Sequence, residues 1–347
     1  MSRLRRFRIV VLLASFAACF GALPAGAADT LTVGAAQHVP HAATIQSLSC
    51  PRGTPVDKST CELSILPTDG EDDLSIVTNG APTKSISIDP GGDHITCVTT
   101  TVCVTLGNAS INFISSNQSV GVARVYGMDP INGISCQSLK YCVVVGTKTI
   151  KLTSHGAVSV GEIAFPIPGA NPVNAIRVPG TSSLSDVSCI RTTCFAVGQT
   201  GVGAKSQAVV VTIHSSHVGA VRKAAHLTSL TGLSCGSASR CLAMGTGVAK
   251  SGALAPELVN ISAGKAVSVR QNPGLRTFSC WSGPDCLGLS LGAPASVSEL
   301  HLGSVVATAQ VPAYPLLTSV SCPTAAACLV AGQNVKGTAR GVLVITL

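Results

Sequence analysis

Aromatic side chains are scarce in this chain of 347 residues: they make up 3%, with seven Phe, three Tyr and a single Trp, Trp281. That scarcity removes the flat stacking platforms on which sugars and bases are commonly held. Charge is scarce too, at 11% of residues, with a formal net charge of +8. Four of the arginines stand within the first eight residues, and without them the balance is 19 Lys plus Arg against 15 Asp plus Glu, or +4. A strong nucleic-acid footprint is therefore missing. Long apolar runs are missing as well, because a bilayer span needs about 20 residues and the one apolar stretch, Ile9 to Phe20, falls short.

That stretch follows an arginine-rich start and precedes Leu23-Pro-Ala-Gly-Ala-Ala28. Together they read as a secretory signal over residues 1–28, cleaved near Ala27 or Ala28. The alternative is a lipoprotein signal, Phe16-Ala-Ala-Cys19, with Cys19 acylated, although Phe16 stands where such signals usually carry leucine. The mature chain, residues 29–347, keeps an even composition without a linker, which predicts one soluble repeat domain without a transmembrane segment.

Cysteine is plentiful, at 15 residues. Apart from Cys19 they fall into seven pairs: Cys50/Cys61, Cys97/Cys103, Cys136/Cys142, Cys189/Cys194, Cys235/Cys241, Cys280/Cys286 and Cys322/Cys328. Complete local pairing in an exported chain predicts seven disulfides, one bridging strands a and b of every repeat. Thiolate metal binding favours shorter spacings and often recruits histidine, and no fixed histidine recurs here. Closing so short a loop is worth about 2.4 kcal/mol per bridge in the chain-entropy model.

Each pair sits in a recurring phrase: a hydroxyl residue, a cysteine, about five residues, a second cysteine, then small apolar residues usually running into glycine. First cysteines of consecutive pairs lie 39 to 53 residues apart, a period that suits one four-stranded blade. The fourth repeat is the clearest, with strands a to d at 184–189, 194–198, 208–213 and 218–221, and no stretch keeps a helical period. The hydroxyls are Ser49, Thr96, Ser135, Ser188, Ser234, Ser279 and Ser321. Strand alternation turns them away from the apolar residue that precedes each, and they are expected to be packed and hydrogen-bonded rather than catalytic.

The chain ends argue for closure into a ring. Nineteen residues follow Cys328, enough for strands b and c but not d. Val39 and Val311 each lie 11 residues before their cysteine, so residues near 30–36 are expected to supply strand d of the last blade. The expected fold is an all-β, seven-bladed β-propeller with few exposed edges.

The phrase Val187-Ser-Cys-Ile-Arg-Thr-Thr-Cys-Phe-Ala-Val-Gly198, with its relatives at 233–245 and 320–332, resembles repeats of secreted actinobacterial β-propeller proteins. The resemblance covers about residues 29–347 and is weakest in the first repeat. It implies a fold and export, not a reaction.

Motifs with chemical meaning each meet a plainer reading. Gly232-Leu-Ser-Cys-Gly236 matches G-x-S-x-G, but Ser234 is the repeat hydroxyl inside a strand and no helix follows. The loops 201–206 and 245–251 hold glycines and lysine without the strand-to-helix unit that cradles phosphate. Lys148, Lys205, Lys250 and Lys336 recur between strands b and c, and form a candidate basic rim for an acidic partner. His38/His41 and His214/His217 lack a third metal ligand, and Asp69-Gly-Glu-Asp-Asp73 lacks the spacing of a calcium loop. The pattern S-x-D-x-G-x-x-W of sialidase-like propellers is absent, and Trp281, placed in an a-to-b loop, is expected to pack. No cofactor is expected. The reading is a monomeric, non-enzymatic binding or scaffolding module for an unknown protein or envelope polymer; the alternative is a hydrolase or lyase acting on extracellular carbohydrate.

Overall fold

The computed structural model describes residues 31–58, 60–67, 73–87, 94–107, 110–153, 156–249, 251–292, 294–334 and 340–347. Seven antiparallel sheets stand around a central axis as a seven-bladed β-propeller. Each begins with an innermost strand a: Ala42–Ser49, His94–Thr99, Ile131–Ser138, Ser183–Ile190, Leu227–Cys235, Leu275–Ser282 and Leu316–Ser321 for blades 1 to 7. Blade 4 continues outward through b (Thr193–Thr200), c (Gln207–His214) and d (His217–Lys223), paired in that order. Among the described residues no helix is long and apolar enough to cross a membrane.

The core lies between blades rather than at the centre. Side chains alternate along a strand, so in strand b of blade 4 Phe195 and Val197 pack on blade 5 while Cys194 and Ala196 pack on blade 3. Strands b and c are thus covered on both faces and read as continuous apolar runs, whereas strand d of the same blade is largely exposed. Glycine at position 198 has a local cause: a Cβ there would collide with the Ser183 carbonyl oxygen and sit 2.8 Å from the Leu184 Cα.

The last blade is closed by the other end of the chain. Thr32 and Val33 pair with Thr346 and Ile345, and Gln37 and His38 pair with Val342 and Gly341. Leu31 and Val33 add apolar cover to the seam of blades 6 and 7. Blade 3 departs from the repeat: its strand d is reduced to Ile176–Arg177, and Val173–Asn174 crosses to pair in parallel with Val125 and Tyr126 of blade 2.

Disulfides join Cys50 to Cys61, Cys97 to Cys103, Cys136 to Cys142, Cys189 to Cys194, Cys235 to Cys241, Cys280 to Cys286 and Cys322 to Cys328, with Cα atoms 3.9 to 4.3 Å apart. They stand at the a-to-b end of every blade. In blades 2 to 6 the bonded cysteines face each other across strands a and b, Cys142 opposite Cys136 and Cys286 opposite Cys280 among them. Two details correct the sequence reading. Strand b does not begin at the second cysteine but one residue earlier: Cys142 is the second residue of Tyr141–Thr153, and Cys286 the second of Asp285–Ser290. The reason is that pairing continues past the bridge, Ser138 facing Tyr141 and Ser282 facing Asp285 beyond a bulge in strand a. In blades 1 and 7, by contrast, Cys50 and Cys322 lie one residue beyond strand a, so there the bridge ties the start of a loop to strand b.

Candidate functional site

The innermost strands enclose a central channel of about 280 Å³, lined by residues from all seven blades. Their repeat hydroxyls stand at one level, and six of them tie blade to blade. Ser49, Ser135, Ser188, Ser234, Ser279 and Ser321 accept the backbone N–H of Cys97, Cys189, Cys235, Cys280, Cys322 and Cys50, at 2.9 to 3.1 Å. Every bond runs from one blade to the next in the same rotational sense. Such bonds satisfy backbone donors that strand a, as the inner edge of its sheet, would leave unpaired.

Two residues earlier, a second level repeats the device with different residues. Leu48 N–H donates to Ser319 Oγ at 3.1 Å, Ile95 N–H to Ser47 Oγ at 3.4 Å, and Leu233 N–H to Asp186 Oδ2 at 2.7 Å. Asp186 therefore takes a serine's place, and its Oδ1 accepts the N–H of Val187 at 2.7 Å. The residues at its level on either side are Gly133 and Gly232; a Cβ on Gly133 would lie 3.1 Å from Asp186 Oδ1. Burial pushes the Asp186 carboxyl up to about 7, against the opposing pull of the two backbone bonds. A β-bulge recurs just before this level in six blades, as between Leu184 and Asp186.

At the a-to-b mouth, Arg52 from the long loop of blade 1 lines the same cavity. Among the described residues its guanidinium makes no ion pair. Gln137 of blade 3 holds the mouth of the next blade, donating to Cys189 O at 2.8 Å and accepting from Arg191 N–H at 2.9 Å. The channel thus presents hydroxyls, one cation and one carboxylate. A sugar-cleaving pair needs two carboxyl groups, and among the described residues Asp186 is the one acid lining this space.

A second carboxylate is buried outside the channel. Glu62 follows Cys61 in strand b of blade 1 (Thr60–Pro67), where the other blades carry Val104, Val143, Phe195, Leu242, Leu287 and Leu329, all buried. It faces blade 2 at 1% exposure, neither carboxylate oxygen has a hydrogen-bond partner, and burial pushes its carboxyl up to about 7. An oxygen of Glu62 lies within 4.8 Å of the Cys97 and Cys103 sulfurs. Those sulfurs are bonded to each other, so the cluster offers a metal only the carboxylate. Among the described residues the apolar cluster of this seam is the smallest, at five residues.

The lysines fare differently from one another. Lys148 lies in strand b of blade 3 (Tyr141–Thr153); burial raises the pKa of Glu162, and the charges of Lys148 and of Arg177, whose Nε lies 3.8 Å from Glu162 Oε1, oppose that rise without cancelling it. Lys205 is exposed in the short 3-10 turn Gly203–Lys205. Lys250 and Lys336 lie outside the described residues, as do residues 69–72 of the acidic run and the whole of residues 1–30. His214 and His217 become cross-strand partners at a tight turn, His214 Nδ1 lying 3.3 Å from Thr193 Oγ1. Trp281 belongs to strand a of blade 6 rather than to a loop, and packs on the seam of blades 6 and 7. Strand a simply runs two residues past Cys280 there.

Sequence reasoning did not find the apolar surface at the b-to-c ends of blades 3, 4 and 5. Leu152 is 78% exposed, Leu254 68% and Val202 65%. Between blades 4 and 5 a groove of about 490 Å³ is bounded by Ser206, Thr228, Val248 and Leu254.

No protein-family model matches this chain, and no curated protein matches it. Solved propellers do. BamB from Moraxella catarrhalis is 12% identical, over 92% of this chain and 100% of that one, with a TM-score of 0.51. The WD40 β-propeller domain of Doa1 is 11% identical over 91% and 96%, with a TM-score of 0.55. The Dos1 propeller is 7% identical over 91% and 95%, with a TM-score of 0.54. At such identities the likeness shows the fold alone.

Proposed function

We propose that this chain is an exported, disulfide-braced β-propeller acting as a non-enzymatic binding or scaffolding module in the cell envelope or extracellular space. Its b-to-c face is the surface that meets an acidic partner protein or polymer. The observation that carries this reading is the exposure of Leu152, Val202 and Leu254 at the b-to-c ends of three consecutive blades, with Lys151 and Lys205 exposed on two of the same blades. Exposed apolar side chains ringed by polar ones mark interaction surfaces, and the lysines set the sign of the partner's charge. Seven disulfides fit an oxidising, extracytoplasmic compartment, and the arginine-led start with its apolar run fits a cleaved signal over residues 1–28. The rival, a carbohydrate hydrolase or lyase, would find in the channel, among the described residues, only Asp186 as an acid, and its two oxygens already hold the chain together.

The test is affinity capture from the producing cell's envelope and medium with three baits: the native protein, a reduced and alkylated control, and a Leu152→Ser/Val202→Ser/Leu254→Ser variant. The expected result is one partner held by the native protein and lost from both others, with the triple variant still cooperatively folded. Equal capture by the triple variant would move the binding surface elsewhere, and polysaccharide cleavage abolished by Asp186→Asn would favour the rival.

A further inference from the structure

The hydrogen bonds around the channel have a polarity that leaves donors over. Each of the six serine oxygens accepts a backbone N–H from the next blade. A serine hydroxyl also carries one proton to give, and among the described residues none of these six donates to a protein acceptor. Six hydroxyls at one level of the channel lining are therefore left with a proton to give to whatever fills it. Arg52, which makes no ion pair among the described residues, lines the same cavity at the a-to-b mouth. Asp186 belongs to a level two residues deeper, about 7 Å along a strand, and its oxygens are already engaged by the N–H groups of Val187 and Leu233.

We propose that the upper channel is a binding site for a small oxyanion, a carboxylate, sulfate or phosphate group seated among the serine hydroxyls beneath the Arg52 guanidinium. Converging O–H donors and one cation are the elements from which oxyanion sites are built, since charge-assisted hydrogen bonds are the strong ones. A cation would meet Arg52 at the entrance and, among the described residues, find no free carboxylate at the serine level. The ring also pre-organises the site: the accepted backbone bond holds each serine oxygen in place before any ligand arrives, so that only the O–H rotor is left to order on binding.

Crystals soaked in selenate test this directly. The expected result is an anomalous difference peak on the channel axis at the level of the serine hydroxyls. In solution, millimolar sulfate should raise the melting temperature of the native protein by several degrees more than that of Arg52→Gln, a comparison that cancels the general stabilising action of sulfate. Acetate in place of sulfate then tells a carboxylate site from one that needs a tetrahedral anion. A channel holding water alone, with selenate only at surface lysines, would overturn the proposal, as would equal sulfate shifts in the two proteins.

Discussion

The hydroxyl of Ser188 in blade 4 accepts the backbone N–H of Cys235 in blade 5 at 3.1 Å, between residues 47 apart in the chain. Both residues are buried. Replacing Ser188 with Ala strips the acceptor and strands that N–H, which costs about 1 to 3 kcal/mol. Denaturant unfolding of Ser188→Ala and Ser234→Ala should show losses in this range, each with an unchanged m-value. A loss below a few tenths of a kcal/mol would mean that water in the channel replaces the hydroxyl.

Glu62 and Asp186 make stability depend on pH in an unusual direction. Both carboxyls are raised to about 7 in the folded protein, from ordinary values of 4.5 and 3.8. The folded state then binds protons more tightly than the unfolded state, so stability falls as pH rises from the unfolded values to the folded ones and levels off above about pH 8. The size is on the order of 3 kcal/mol per site. Glu62→Gln should flatten part of this slope, and Glu62→Leu, which restores the residue type of the other blades, should stabilise the protein at pH 8. Thermal melts from pH 4.5 to 8.5 read both effects; identical slopes in Glu62→Gln and the native protein would remove Glu62 from the account.

Much of the fold was legible from the cysteine phrase. Its period gave seven blades, and the matched spacing of Val39 and Val311 foretold that Thr32 and Val33 would pair with the last strand. The pairing of Cys142 with Cys136 and of Cys286 with Cys280 was legible too, while the extra rung of strand pairing beyond each bridge was not, because a bulge hides it from the spacing. The hydroxyl partner was hidden because Ser188 and Cys235 meet only once the ring exists. Asp186 read as one of fifteen scattered acids, although it occupies a repeat position filled by serine in blades 7 and 1. Glu62 was open to detection, since every other repeat carries an apolar residue after the second cysteine. The crossing of Val173–Asn174 to blade 2 depends on loop geometry, for which a repeat pattern holds no information.

Closure by the N-terminal segment carries its own prediction. Removing residues 31–39 exposes the edge of Arg340–Thr346 and uncovers the apolar seam that Leu31 and Val33 help to shield. Unpaired edges invite association with other chains. The shortened protein should melt at least ten degrees lower, and light scattering should show concentration-dependent aggregates where the full domain gives a single species.

The disulfides should act blade by blade. Replacing Cys189 and Cys194 together with alanine removes the tether of one short loop, worth about 2 kcal/mol, and leaves blade 4 paired through its three strand-to-strand registers. Hydrogen exchange should quicken chiefly in blade 4. Uniform quickening around the ring would show instead that blades open together.

The bond that closes the ring, from Cys50 N–H to Ser321 Oγ, has the same atoms, length class and direction as those between neighbouring repeats, yet joins residues 271 apart. Seen from the channel, the chain has no first or last blade. The two ends of the described domain meet on the outside, where Thr32 pairs with Thr346 much as His217 pairs with His214 across a two-residue turn. A short linker from Leu347 to Leu31 could therefore make the polypeptide a covalent circle, and that circle could be reopened at another blade's outer turn with the inner ring of hydroxyls left as it was.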